Sequence, residues 1–257
     1  MDDYTIQNVI IPEKLREIEQ KENVRILHCV ESGSRAWGFP SPDSDFDVRF
    51  IYVRPKEYYL RLDKTRDVIE WQLDETLDIN GWDLKKALVL LYSSNPTLFE
   101  WNHSPVVYKT TDEWQKISAV INRYFQEKSG LYHYFRTAQK TYAEHLQGET
   151  VRLKKYFYVL RPLLACRWIL CNHCPPPMRF AELVSACLEP PMQSVINELL
   201  ERKMHSDEFY KGKRIDVLNA YLESSMAEIE KKLSAIPADH PHDWETLNRI
   251  FLETVLF

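Results

Sequence analysis

Gly33-Ser34 and, after ten intervening residues, Asp45-Phe46-Asp47-Val48 are the residues whose types and spacing suit the chemistry of phosphates and divalent cations. In a strand, residues i and i+2 point to the same face, so Asp45 and Asp47 would present two carboxylates side by side. Adjacent carboxylates repel unless a cation lies between them, and carboxylate oxygen is the ligand Mg²⁺ prefers. The pair therefore predicts a divalent-metal site. A glycine ahead of a helix lets the backbone approach a ligand closely, and the helix N-terminus and the Ser34 hydroxyl offer donors to phosphate oxygens. Arg35 adds a charge-assisted donor beside them. Each part alone also fits a plainer reading, with Pro42-Asp43-Ser44-Asp45 a solvated turn and Gly33-Ser34 merely a turn. The combination points to a metal and a nucleoside triphosphate.

Such a site needs a strand, turn and helix to hold Gly33, and a second strand to carry the aspartates. Residues 24 to 30 are rich in β-formers and run up to Gly33, and 45 to 53 alternate charged and apolar residues before becoming apolar. A helix at 12 to 22, opened by Pro12, precedes them. A helical turn at 56 to 62, a strand at 67 to 73 and a short strand at 76 to 79 follow. From Gly81, Leu84, Ala87, Leu88 and Leu91 take helical spacing, with Asn80 and Asp83 placed as cap and third-position partner. Arg49 falls on the aspartates' strand face, where it would orient them by ion pairing or touch substrate. After Tyr108 the β signals largely cease and helices are expected to the end of the chain. The fold class predicted is α+β, a mixed sheet with helices over residues 1–110 and an all-α domain over 111–257.

At 257 residues, 44% hydrophobic and 28% charged, the chain has an ordinary globular composition. No run approaches the ~20 apolar residues that cross a bilayer. The opening MDDYTIQNVI lacks the basic and apolar regions of a secretory signal, so the expectation is a cytoplasmic protein with no membrane partner. Five cysteines, an odd number, fit reduced thiols better than a disulfide framework. A net charge of −5 argues against non-specific coating of nucleic acid and leaves room for a local basic groove.

Ser32-Gly33-Ser34, the gap and Asp45-Phe46-Asp47-Val48 resemble the signature of the DNA polymerase β nucleotidyltransferase superfamily. More closely, ESGSRAWGFPSPDSDFDVRFIYVRP, with NGWDLKKAL, SNPTLFEW and KKYFYVLRPLLA downstream, resembles the RlaP family, nucleotidyltransferases associated with RNA repair. Ser32 is a small departure, since the wider superfamily usually has an apolar residue there. The resemblance implies a nucleotidyltransferase domain fold followed by a helical substrate-binding domain. It also implies transfer of a nucleoside monophosphate from a nucleoside triphosphate to an acceptor hydroxyl, with pyrophosphate released, at an RNA (tRNA) end, the alternatives being nucleotidylation of a small molecule or protein side chain, or a non-catalytic nucleotide- or RNA-binding module. Two Mg²⁺ or Mn²⁺ ions would be held by a triad whose third carboxylate lies on a later strand. Asp78, at the end of the short strand before Gly81-Trp82-Asp83, is the choice, and Glu70 in the preceding strand is the alternative. Asp45 and Asp47 would be shared ligands, Asp78 would hold the ion nearest the acceptor, and Gly33, Ser34 and Arg35 would hold phosphates.

From Arg136 to Arg167, seven basic residues stand against Glu144 and Glu149, interleaved with aromatics such as Tyr142, Tyr156 and Tyr158. Basic and stacking groups together suit phosphate and base contacts. Phe157, Leu160 and Leu164 have core spacing, so part of this stretch is expected to pack. Lys154, Tyr158 and Arg161 fall on one helical face, which makes Lys154 and Arg161 candidates for triphosphate or acceptor contact. Cys171-Asn172-His173-Cys174 has half the spacing of a zinc site and no matching second pair. Arg167 and His173 have the spacing of HEPN-type ribonucleases, and a helix-end histidine is the plainer reading.

Overall fold

A computed structural model of the chain describes residues 2–205, 210–238 and 242–256. In chain order, α1 (Asp3–Thr5), a π turn (Ile6–Ile10) and α2 (Ile11–Glu22) lead into β1 (Arg25–Glu31), α3 (Gly33–Trp37) and β2 (Phe46–Val53). Next come α4 (Lys56–Tyr59), β3 (Val68–Leu73), β4 (Leu77–Asp83), α5 (Leu84–Tyr92), α6 (Pro96–Asn102), β5 (Val107–Thr110) and α7 (Asp112–Ile121). The remainder is α8 (Glu127–His145), β6 (Thr150–Arg152), α9 (Lys154–Asn172), α10 (Phe180–Cys187), α11 (Gln193–Met204), β7 (Lys211–Lys213), α12 (Asp216–Ala235) and α13 (Glu245–Leu256). The fold is α+β. No helix among the described residues is long and apolar enough to cross a membrane.

The chain forms two compact units. One comprises Met1–Gly33, Asp45–Tyr124 and Pro241–Phe257, and the other Ser34–Ser44 and Phe125–His240. Residues 111–124 and the C-terminal helix thus lie with the sheet, whereas the loop between the two sequence motifs lies with the helices.

The first unit is built on a five-stranded sheet in the order β3-β4-β2-β1-β5. β2 and β4 run parallel, and the other neighbours are antiparallel. Alternation decides the faces. Phe46, Val48, Phe50 and Tyr52 of β2 and Leu77 and Ile79 of β4 share one core with Ile11, Leu15 and Ile18 of α2. A Cβ on Gly81 would lie 2.1 Å from the Phe50 ring, so only glycine lets that ring fill the core beside β4.

β4 is longer than the sequence suggested, because pairing with β2 continues the ladder from Leu77 to Asp83. Asn80 is therefore mid-strand and does not cap a helix. Asp83 is itself the cap, accepting a hydrogen bond from Lys85 N at 2.8 Å.

In the second unit α8 packs along α9, with α10 and α12 also against α9, around a core that includes Leu131, Phe135, Tyr156, Phe157 and Leu164. The expectation of helices alone misses a two-stranded antiparallel ribbon, Thr150–Arg152 with Lys211–Lys213. Strands this short carry no readable alternation, and the pairing joins residues about sixty apart in sequence.

Candidate active site

β2 and β4 start side by side, and their parallel register sets Asp47 opposite Asp78 and Arg49 opposite Asn80. Phe46 and Val48, and likewise Leu77 and Ile79, are buried, which turns Asp47, Arg49 and Asp78 to the other face, where each is half-buried. Arg49 Nη2 donates to Asp47 Oδ1 at 2.8 Å and to Asp78 Oδ2 at 2.6 Å, while Nη1 donates to the Asp78 carbonyl at 2.7 Å. A guanidinium thus sits between two carboxylates from adjacent strands, the place where positive charge is most favourable. Asp45 immediately precedes β2 and is half-buried. Glu70 lies on β3, opposite Asn80, and is exposed.

The backbone around Asp47 is fixed from β1. Glu31, fully buried, accepts from Asp47 N at 2.7 Å, and Ser32 N donates to Asp47 O at 2.8 Å. Tyr108 OH donates to the other Glu31 carboxylate oxygen, and Ser104 Oγ donates to the Glu31 carbonyl at 2.6 Å. Glu31 is a positioning residue that the sequence reading overlooked. Its signal was an acid at the end of a strand whose core is Ile26, Leu27, Cys29 and Val30, directly before Ser32-Gly33-Ser34. Gly33 has φ +59°, and a Cβ there would fall 1.9 Å from Asp47 Oδ2. The bare backbone of Gly33 is what makes room for the Asp47 carboxylate.

Oxygen donors on neighbouring strands, already gathered around one positive group, suit a hard divalent cation. Asp47 and Asp78 would hold it, with Asp45 at the strand's start. Among the described residues no group of three or more His, Cys, Asp or Glu side chains is gathered as a metal site, and Arg49 already occupies the two carboxylates that a cation would take.

In the second unit, α3 and the loop behind it converge on Ser44. Ser34 Oγ donates to Ser44 Oγ at 3.1 Å, Ser41 N donates to the same oxygen at 2.9 Å, and Arg35 Nη2 donates to the Ser44 carbonyl at 2.8 Å. Lys203 of α11, buried, donates from Nζ to the Phe39 carbonyl at 2.7 Å and to Ser41 Oγ at 3.2 Å. The ten-residue gap is therefore a folded loop, fastened by a lysine about 160 residues away in sequence. Sequence reasoning had no means of finding that lysine.

On α9, Lys154 is half-buried at the first turn, whereas Arg161 is only 3% exposed. The Arg161 guanidinium lies over the Trp37 ring at 4.8 Å, its Nη2 lies 3.4 Å from the Met178 carbonyl, and Tyr158 meets Trp37 edge-on at 5.2 Å. Of the interleaved aromatics, Tyr134, Phe135, Tyr142, Tyr156 and Phe157 are core residues. Cys166 is buried and Cys171 exposed, and all five cysteines are free. His173 ends α9 in the left-handed conformation, its Nδ1 2.8 Å from Glu127 Oε1, while Arg167 pairs with Glu189 at 2.8 Å.

A mixed sheet with aspartates at the starts of two parallel neighbours, behind a Gly-Ser turn at which the chain closes on one of them, is the arrangement of a nucleotidyltransferase of the polymerase β superfamily. The chain belongs to the RNA repair pathway DNA polymerase beta family, RlaP, whose sequence profile matches residues 8–253. It is 42% identical over 250 residues to the uncharacterized protein YcgL of Bacillus subtilis (strain 168), covering 95% of each chain. A crystal structure of a nucleotidyltransferase-like protein from Exiguobacterium sibiricum 255-15 aligns at 12% identity and a TM-score of 0.32, over 95% of this chain and 79% of that one. The likeness to that structure is too slight to build on, and the family membership rests on the other two findings.

Proposed function

We propose that the protein transfers a nucleoside monophosphate from a nucleoside triphosphate to the hydroxyl at an RNA end, releasing pyrophosphate. The observation that carries this reading is the Asp47–Asp78 pair in register on β2 and β4, with Gly33 closed against Asp47. The RNA acceptor is supported by the family's description as one of RNA repair.

Asp45, Asp47 and Asp78 are the proposed ligands of two Mg²⁺ or Mn²⁺ ions. Bound there, the ions supply charge neutralisation at the α-phosphate and a lowered pKa for the acceptor hydroxyl. The chain's own part is positioning. Glu31 and Ser32 hold the Asp47 backbone from both sides. Arg49 holds Asp47 and Asp78 at a fixed spacing. Ser34 and Arg35, which follow Gly33 directly, are proposed to hold phosphates, kept in place by Ser44. Lys154 and Arg161 are proposed to contact triphosphate or acceptor, Arg161 from its place over the Trp37 ring. The sheet unit is accordingly proposed to be catalytic and the helical unit to bind substrate.

The test is incubation with each labelled nucleoside triphosphate and Mg²⁺ in the presence of separate tRNA, protein and small-molecule pools. Label in the tRNA pool alone, abolished by Asp47→Asn, is the expected result. Label in protein or small molecules would keep the chemistry and replace the acceptor. Undiminished transfer by Asp47→Asn would remove the mechanism.

A further inference from the structure

The far ends of β2 and β4 carry a second charged feature that the catalytic reading does not use. There Tyr58, Tyr59, the loop 60–67 and the first turn of α5 enclose a cavity of about 550 Å³. Its rim carries five basic side chains, Arg61, Lys64, Arg66, Lys85 and Lys86, against Asp63, Asp67 and Asp83, within a chain of net charge −5. The acids are already engaged. Arg61 pairs with Asp63 at 2.6 Å, Lys86 pairs with Asp67 at 3.2 Å, and Asp83 accepts from Tyr59 OH at 2.9 Å and from Lys85 N at 2.8 Å. Among the described residues no acid pairs with the side chains of Lys64, Arg66 or Lys85.

Exposed lysines are common, and most are merely solvated. What distinguishes these is that the loop presenting them is fastened. Tyr58 OH donates to the Arg66 carbonyl at 3.0 Å and accepts from Arg66 N at 3.1 Å, closing the loop into a ring. Arg54 stacks on Tyr58 at 4.5 Å and its backbone N–H donates to Tyr59 OH at 3.0 Å. Both tyrosines are therefore held from behind, and the cations stand around a concave, partly aromatic surface. Fixed positive charge beside aromatic faces suits the backbone and bases of a nucleic-acid strand.

Position along the sheet decides the length of the ligand. Asp83 is five residues beyond Asp78 on β4, as Tyr52 is beyond Asp47 on β2, an offset of about 17 Å along the strands, and the odd step turns Asp83 and Tyr52 to the face opposite Asp78 and Asp47, so a ligand joining the two places spans at least that length. That is roughly five nucleotides at the 3.4 Å rise of a helical strand. A nucleotide bound at Asp47 does not reach so far, whereas a polynucleotide acceptor does.

We propose that this cavity binds the phosphodiester backbone of the acceptor strand several nucleotides from the reacting end, through Lys64, Arg66 and Lys85. The inference rests on the reading that the acceptor is RNA. Its test compares the protein with the triple variant Lys64→Gln, Arg66→Gln, Lys85→Gln. The ligands are a single-stranded RNA of about twelve nucleotides, a dinucleotide and a nucleoside triphosphate, each titrated at several salt concentrations. For the long RNA, the slope of log affinity against log salt is expected to become shallower by about 2, at roughly 0.7 per lost phosphate contact. Dinucleotide and triphosphate binding are expected to stay unchanged, and so is the melting temperature, because all three side chains are exposed. Lys86→Gln, which removes a lysine already paired with Asp67, serves as the control with little effect on the slope.

An unchanged slope for the long RNA overturns the proposal, as does a wild-type protein that binds the long RNA no better than the dinucleotide. A parallel loss of triphosphate binding also overturns it, since the cavity would then be a small-anion site. Transfer onto RNA with a slope indifferent to the triple variant sinks this surface and leaves the reaction standing. A slope that responds as expected, in a protein that transfers nothing to RNA, sinks the reaction and leaves the surface.

Discussion

Two carboxylates on neighbouring strands repel across a few ångströms, and in this protein Arg49 offsets that repulsion from within the same strand. Arg49→Met should therefore cost about 1–2 kcal/mol of stability, a figure reduced for the partial exposure of all three side chains. Mg²⁺ should restore more of that loss than it adds to the wild type. Melting curves with and without Mg²⁺ check this, and a variant that gains nothing from the ion would count against Asp47 and Asp78 as its ligands. Asp47→Asn should abolish transfer while shifting stability by no more than about 1 kcal/mol, because asparagine can still accept from Arg49. Gly33→Ala places a methyl 1.9 Å from Asp47 Oδ2 at φ +59°, so activity should fall to background even where circular dichroism shows the fold retained.

At the level of strands and helices, most of what positions the site could be read from patterns. Alternation in 45–53 gave β2 and its polar face, and Gly33 marked the turn, because local steric preferences set both. The extent of β4 and the pairing of residues 150–152 with 211–213 were hidden, since ladders are satisfied by partners distant in sequence. Lys203 was hidden for the same reason, as its role depends on backbone atoms that folding brings to it.

One packing contact on β1 has a measurable pH signature. His28 stacks on Trp114 of α7 with ring centres 4.6 Å apart, and burial pushes its pKa down from 6.5 to about 4. The folded state holds this ring neutral, whereas the unfolded chain takes up a proton below about 6.5. Stability from this group is thus complete above about pH 6.5 and is lost as the pH falls towards about 4, by about 3 kcal/mol in all. His28→Phe should keep the stacking and flatten the dependence over that window. Denaturant titrations at pH 7.5 and pH 4.5 provide the measure, and equal losses in variant and wild type would show that the histidine does not titrate as described.

Taken as a whole, the molecule is not a catalytic half followed by a helical half in sequence. α13 belongs with the sheet unit, where it packs on α5 and α7, with Leu247 and Ile250 buried and Trp244 stacked on Tyr92 at 3.7 Å. Removing residues 242–256 should cost about 4–7 kcal/mol from the two aliphatic side chains and the aromatic stack. That is comparable with the whole stability of an ordinary domain. The truncated chain should be digested rapidly within residues 45–124 under limited proteolysis, whereas resistance equal to the wild type would show that α13 is dispensable.

The interleaving of the units also fixes when, during synthesis, the protein can become itself. At roughly 5–20 residues per second a ribosome needs on the order of ten to fifty seconds to pass from β1 to α13. The sheet strands emerge early, but the surface that α13 covers stays open until residues 245–256 have been made. Throughout that interval the apolar faces of α5 and α7 are available to chaperones or to other nascent chains. A gene fragment ending after the helical unit would leave them so permanently, and for that reason neither unit can be exchanged between proteins by a single cut in the sequence.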